Sequence, residues 1–109
     1  MKLVLVCYSG SSASILRDRM LAWARANLLD VEIIVSSLAG LDEDKEDADI
    51  VLVGPQVRCA LASVRERVPE RIPVMAVDTR DYGMAKGDRV MQAALEEIRQ
   101  YKEHKIHME

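Results

Sequence analysis

Four short apolar runs, separated by stretches of helical periodicity, constrain this chain of 109 residues more than any other feature. They are Lys2–Cys7 (KLVLVC), Val31–Ser36 (VEIIVS), Ile50–Gly54 (IVLVG) and Ile72–Asp78 (IPVMAVD). The first, third and fourth are almost uninterrupted hydrophobic sequence. A strand wetted on one face alternates apolar with polar residues, whereas a strand covered on both faces need not. Continuous runs therefore predict parallel strands held between helices. The second run alternates more, with Glu32 and Ser36 facing out, and belongs at an edge.

The intervening segments supply the helices. Ser12–Leu28 carries Leu16, Met20, Trp23 and Asn27 at helical spacing, with Ile15, Ala24 and Leu28 filling the stripe. Gly54-Pro55 breaks the third strand and opens a helix over Gln56–Val68, whose apolar face holds Val57, Ala60, Leu61, Val64 and Val68. Proline suits the first turn because its missing N–H would be unpaired there anyway. A last helix over Met84–Glu103 turns Val90, Met91, Ala94, Ile98 and Tyr101 inward. Asp42–Asp47 (DEDKED) is a short helix or a solvated turn, and 104–109 a frayed polar tail beyond one domain of 1–103. The order β-α-β-(α)-β-α-β-α is that of an α/β fold with right-handed crossovers. Open sheets of this kind bind ligands beyond the carboxyl ends of their strands, where strand order reverses. That selects the loops after Cys7, Gly54 and Asp78.

Composition excludes several function classes. The formal net charge is -3, opposite in sign to a nucleic-acid binder. One Trp, three Tyr and no Phe leave little surface for stacking bases or a flavin. No apolar run approaches the roughly 20 residues a membrane-spanning helix needs, so no membrane insertion is expected. The start leads straight into a strand with no cleavage signal, and Cys7 and Cys59 form no C-x-x-C pair. Together these predict a cytoplasmic protein with reduced thiols. His104 and His107 lack a third ligand, so no metal site is expected, and no cofactor. The chain is expected to be monomeric alone.

The loop after the first strand reads Cys7-Tyr8-Ser9-Gly10-Ser11-Ser12-Ala13-Ser14. A cysteine ends a buried strand, mostly small polar residues follow, and a helix begins. Helix N-termini carry unpaired N–H groups and partial positive charge that stabilise anions. Successive N–H groups in a tight loop form a nest for phosphate. Gly10 permits close backbone approach and the serines add donors. The same field would lower a cysteine pKa and favour the thiolate, a nucleophile for phosphorus. A buried cysteine that merely packs is the simpler reading of Cys7 alone; the Ser/Gly loop into a helix is what weighs against it. The loop is neither a Walker A loop nor a dinucleotide fingerprint. A cysteine phosphatase needs an arginine to clamp the phosphoryl oxygens, in the pattern C-x5-R, and that position is Ala13. Arg17 lies a turn too far on. Such a loop is suited to holding a phosphoryl group without hydrolysing it.

These residues resemble the IIB components of the sugar phosphotransferase system, in the lactose/cellobiose (type-3) class. Three stretches carry the resemblance in order: the Cys7–Ser14 loop; Gly54-Pro55-Gln56-Val57-Arg58; and Ile72-Pro73-Val74 through Asp78-Thr79-Arg80-Asp81-Tyr82-Gly83-Met84. It implies a four-stranded parallel sheet, in order 2-1-3-4, with helices on both faces, similar in core to low-molecular-weight tyrosine phosphatases. It implies that Cys7 accepts a phosphoryl group from a phosphohistidine on a IIA protein and passes it to a sugar at the IIC permease. The sugar would be a β-linked disaccharide such as cellobiose, chitobiose or lactose. Tyr8, Ser9, Gly10, Ser11, Ser12, Ala13 and Ser14 would cradle the phosphoryl oxygens. Tyr8 departs from the pattern where a small residue is expected, and Cys59 where an aromatic is common.

Gln56, Arg58, Asp81 and Tyr82 are candidate rim or partner contacts on the same edge. Arg58 is placed either to steer an anionic donor or simply as a solvated helix-end residue. Asp78 would suit a phosphatase general acid, but in a carrier it reads as a loop-ordering or recognition residue on the rim. Cys59 is expected to be a bystander thiol rather than a disulfide partner of Cys7. Two other classes remain open on sequence: a cysteine phosphatase or arsenate reductase, and a non-catalytic regulatory module of the same fold.

Overall fold

The computed structural model describes residues 1–7 and 10–108, with the side chains of 10–12 and 104–108 excepted. The strands are β1 (Lys2–Val6), β2 (Glu32–Ser36), β3 (Ile50–Val53) and β4 (Val74–Ala76). The helices are α1 (Gly10–Ala26), α2 (Leu41–Asp44), α3 (Leu61–Arg67), α4 (Thr79–Gly83) and α5 (Gly87–Met108), with a 3-10 turn over Pro55–Ala60. All strand pairings are parallel, in the order β2-β1-β3-β4. β1 runs in register from Lys2–Glu32 to Val6–Ser36 on one side and from Leu3–Ile50 to Val6–Val53 on the other.

Why β1 and β3 are continuously apolar follows from where their side chains go. Leu3, Leu5, Ile50 and Leu52 face α1 and α5, against Leu16, Met20, Met91 and Ala94. Val4, Val6, Val51 and Val53 face the opposite layer, against Leu41, Val57, Val64 and Val68. Alternate side chains thus enter two separate cores, and neither face is left for a polar residue.

Several boundaries differ from the sequence expectations. β4 is three residues, not seven, since Pro73 has no N–H to give the ladder and Asp78 begins a new helix. The helix expected over Gln56–Val68 is split: Val57 has non-helical backbone (φ -115, ψ 17), and α3 begins only at Leu61. It ends before Val68, which is extended ahead of Pro69. α5 starts at Gly87 rather than Met84, and its backbone continues past Glu103 to Met108. The side chains of His104 and His107 lie outside the described residues.

α1 ends earlier than its stripe suggested. The Leu29 N–H donates to Ala24 O (2.8 Å) and the Leu28 N–H to Arg25 O (3.1 Å), the paired bonds of a Schellman cap. Leu28 takes φ 57 there and is 93% exposed, so it packs on nothing. Left-handed backbone costs an L-residue about 1–2 kcal/mol that glycine escapes. Leu28→Gly is therefore expected to stabilise the fold by about 1 kcal/mol. The measurement is a urea midpoint that rises with an unchanged m-value.

Candidate active site

The chain runs from β1 to β2 on one side of the sheet, then to β3 on the other. The switch point is therefore the crevice between the carboxyl ends of β1 and β3, where ligands bind in such sheets. Cys7 directly follows β1, and its N–H donates to Ser36 O at 2.9 Å, extending the ladder by one bond. Across the crevice, the Gly54 N–H donates to Val6 O at 2.9 Å. A Cβ on Gly54 would lie 3.2 Å from Val6 O and 3.4 Å from Cε2 of Tyr82. Glycine lets the backbone after β3 close onto β1 beside the Tyr82 ring.

The Cys7 residue is 3% exposed and shares a core cluster with Ala13, Leu16, Val77 and Tyr82. Burial pushes its thiol above the ordinary cysteine range, because the thiolate loses water. The direction is opposite to the lowering that a helix N-terminus alone would give. The sign has two consequences. Below the ordinary thiol range both folded and unfolded chains hold the proton, so folding is unaffected. Above it the unfolded chain ionises first, so stability falls as pH rises. Alkylation of Cys7 by iodoacetamide is expected to follow a pH midpoint above that of a free cysteine peptide, read by peptide mass across a pH series.

Ala13 is fully buried in that cluster at the position where a phosphatase loop carries arginine. Arg17 contacts Asp18 at 3.6 Å. Tyr8 and Ser9 lie outside the described residues, as do the side chains of Gly10, Ser11 and Ser12, while Ser14 is half-buried in the first turns of α1. Gln56, Arg58 and Cys59 are exposed on the 3-10 turn after β3. Cys7 and Cys59 form no disulfide.

The loop after β4 is more ordered than its sequence suggested. Asp78 caps α4, accepting from the N–H groups of Arg80 (2.9 Å) and Asp81 (3.0 Å). Of the two carrier roles open to it, the bonds show the loop-ordering one. The signal was present: an N-cap Asp with an acid three residues on, Asp78 and Asp81, marks a helix start. Asp81 is half-buried. Tyr82, expected on the rim, is only 6% exposed and packs in the core with Cys7. The cap turns α4 so that its aromatic residue points at the sheet, which removes Tyr82 from the outer surface.

Comparison with known proteins places this geometry. The family described as "PTS system, Lactose/Cellobiose specific IIB subunit" matches residues 2–93. The galactose-specific EIIB component of Lactococcus lactis subsp. cremoris is 33% identical over 98 residues, covering 84% of this chain and 91% of that protein. The cellobiose-specific EIIB component of Lactococcus lactis subsp. lactis is 33% identical with the same coverage. The oligo-beta-mannoside-specific EIIB component of Bacillus subtilis is 33% identical over 95 residues, 86% of this chain and 92% of its own. Among solved structures, the cellobiose-specific IIB protein of Borrelia burgdorferi superposes with a TM-score of 0.77 at 29% identity, over 93% of this chain and 94% of that one. The lactose-specific IIB domain of Streptococcus pneumoniae superposes with a TM-score of 0.74 at 18% identity, over 89% and 96%, and speaks to the fold alone. The parallel 2-1-3-4 sheet with its flanking helices is the fold of these neighbours. The chain belongs to the lactose/cellobiose-specific IIB subunits of the sugar phosphotransferase system (PTS) and is a phosphotransferase component of sugar transport.

Proposed function

We propose that Cys7 is the covalent phosphoryl carrier of this IIB component. The observation that carries the reading is its position: Cys7 leaves β1 at the sheet's switch point, ahead of the 17-residue helix α1. The Cys7 thiolate attacks the phosphorus of a phosphohistidine on a IIA protein. The S–P bond forms as the N–P bond breaks, the electron pair returns to the imidazole, and the imidazole takes a proton. Within Tyr8–Ser14, backbone N–H groups of the turn before α1 and of its first turn hold the three phosphoryl oxygens, since α1 starts at Gly10 and the Ser14 N–H belongs to the helix ladder. In the second step a sugar hydroxyl at the IIC permease attacks the same phosphorus, the S–P bond breaks with its electron pair left on Cys7 Sγ, and that sulfur takes up the hydroxyl proton to restore the thiol. Burial of Cys7 suits both steps, because water is kept from the thiophosphate. Ala13 supplies no cation to drive hydrolysis, which favours carrier over phosphatase.

The substrate is a β-linked disaccharide such as cellobiose, chitobiose or lactose; relatives named for cellobiose and oligo-beta-mannoside support that class. Among the described residues no helix is long and apolar enough to cross a membrane. Contact with the membrane is then through the permease, at its cytoplasmic face. Vesicles containing IIC, supplied with phosphoenolpyruvate, the general phosphotransfer proteins and IIA, test this. Sugar phosphate should form from a β-linked disaccharide only when this chain is added. Phosphorylation of Cys7 without transfer to any such sugar would overturn the substrate assignment.

A further inference from the structure

The chain is acidic overall, yet one surface beside the Cys7 edge is not. α4 leaves the carboxyl end of β4, and its Tyr82 ring packs at Gly54, whose N–H binds the residue preceding Cys7. Immediately outside Tyr82 lie two open grooves of about 370 and 340 Å³ that share Met84 and Lys86. A third, of about 600 Å³, adjoins them through Asp81 and Arg89. Sharing these residues, they make one trough that runs from α4 along the first two turns of α5, and only the 370 Å³ groove reaches α1, at Arg19, Ala22 and Trp23. It holds four cationic side chains, Arg19, Arg80, Lys86 and Arg89, against two carboxylates, Asp81 and Asp88. Among the described residues none of the four cations takes part in an ion pair. Met84 is 57% exposed where the grooves meet.

The trough is also held rigidly. The Lys86 N–H donates to Asp81 O (2.8 Å) and the Ala85 N–H to Tyr82 O (3.1 Å), a second Schellman cap, with Ala85 at φ 50. That cap fixes Met84 and Lys86 relative to α4. Unpaired cations around an exposed methionine describe a contact surface for an anionic, partly apolar protein face.

We infer that this trough docks the phosphohistidine donor protein through an acidic face, and that the permease does not use it. The inference rests on the carrier reading of Cys7. Charge decides between the two partners. The donor arrives bearing a phosphoryl anion, which a cationic surface attracts and orients. The cytoplasmic loops of a membrane protein carry an excess of Lys and Arg, which the same surface repels. One edge of the sheet would thus serve both partners, with the trough engaged in acceptance and disengaged in donation.

The test uses the full chain and the IIA protein that phosphorylates it. Phosphoryl uptake is followed against IIA concentration for the wild type, the double variant Arg80→Glu/Arg89→Glu, and the conservative Arg80→Lys/Arg89→Lys. The Glu variant should raise the KM for IIA about ten-fold, with kcat unchanged and salt dependence flattened, while the Lys variant should match the wild type. Once phosphorylated, the Glu variant should pass its phosphoryl group to sugar in IIC vesicles at the wild-type rate. A KM within about two-fold of wild type, or an equal loss in the onward step, overturns the docking assignment alone. Absence of uptake by the wild type overturns the carrier reading and this inference with it. Unchanged circular dichroism and Tm in the Glu variant would confirm that an altered KM reflects docking; a lowered Tm transfers the test to Met84→Asp, judged by the same KM.

Discussion

Replacing Gly87 by alanine is expected to lower the Tm by roughly 10 °C, although alanine is the better helix former. Gly87 is the first residue of α5, with ordinary backbone dihedrals, so conformational freedom is not what the position requires. It requires absence of a side chain. A Cβ there would lie 2.5 Å from the carbonyl carbon of Arg19, 2.5 Å from the nitrogen of Met20 and 2.8 Å from Cβ of Arg19. Two of these are backbone atoms inside α1, which cannot turn aside as a flexible side chain could. The helices must part, and Met20, Met91 and Ala94 beneath them lose contact with Leu3 and Leu5. Overpacking of this kind costs about 1–3 kcal/mol, and more where backbone must move. The helix-propensity gain of about 1 kcal/mol returns only part of it. Out of a total stability of about 5–15 kcal/mol the remainder is large. A thermal melt by circular dichroism reads it directly. Gly83, with nothing within 4 Å of its would-be Cβ, provides the contrast: Gly83→Ala should leave Tm nearly unchanged.

β1 and β3 were legible in sequence because they are buried on both faces, whereas β4, whose run looked the same, is a half-buried edge strand. Continuous runs such as LVLV and IVLV have no competing explanation at that length between helices, and the edge placement of β2 followed from Glu32, while Ser36, expected to face out, is buried. Helix interiors were legible for the same reason: Leu16, Met20, Val64, Met91 and Ala94 recur at helical spacing and all are buried. Helix ends were not. Leu28 looked like the last inward residue of α1 because hydropathy cannot distinguish it from a left-handed cap, which is a backbone property. α4 was hidden because five residues carry too little periodicity, and only the Asp78 cap betrays it. The candidate site was legible in position, since Cys7, Gly54 and Asp78 all fall at carboxyl strand ends. Its electrostatics were not. The expected lowering of the Cys7 pKa considered the helix and ignored burial, and burial depends on Tyr82 and Val77, remote in sequence. Nor could the trough around Met84 be read from sequence, because Arg19 joins Lys86 and Gly87 only through the close crossing of α1 and α5.

The second large effect concerns chemistry rather than stability. Cys7→Ser is expected to reduce phosphoryl uptake by at least about a thousand-fold, because a neutral hydroxyl is a far weaker nucleophile than a thiolate. The substitution is nearly isosteric, and the N–H bond to Ser36 O is made by the backbone, so the fold should persist. An unchanged melt would separate lost chemistry from lost structure. Cys59→Ser should leave uptake intact, since Cys59 is exposed on the turn after β3 and forms no disulfide with Cys7.

The most direct test of the central claim is intact mass followed by peptide mapping. The chain is incubated with phosphoenolpyruvate, the general phosphotransfer proteins and a IIA protein shown to be phosphorylated. The account predicts one added phosphoryl group per chain, located on the peptide containing Cys7 and absent from Cys7→Ser. A group found on any other residue, uptake that survives in Cys7→Ser, or no uptake from phosphorylated IIA would contradict it.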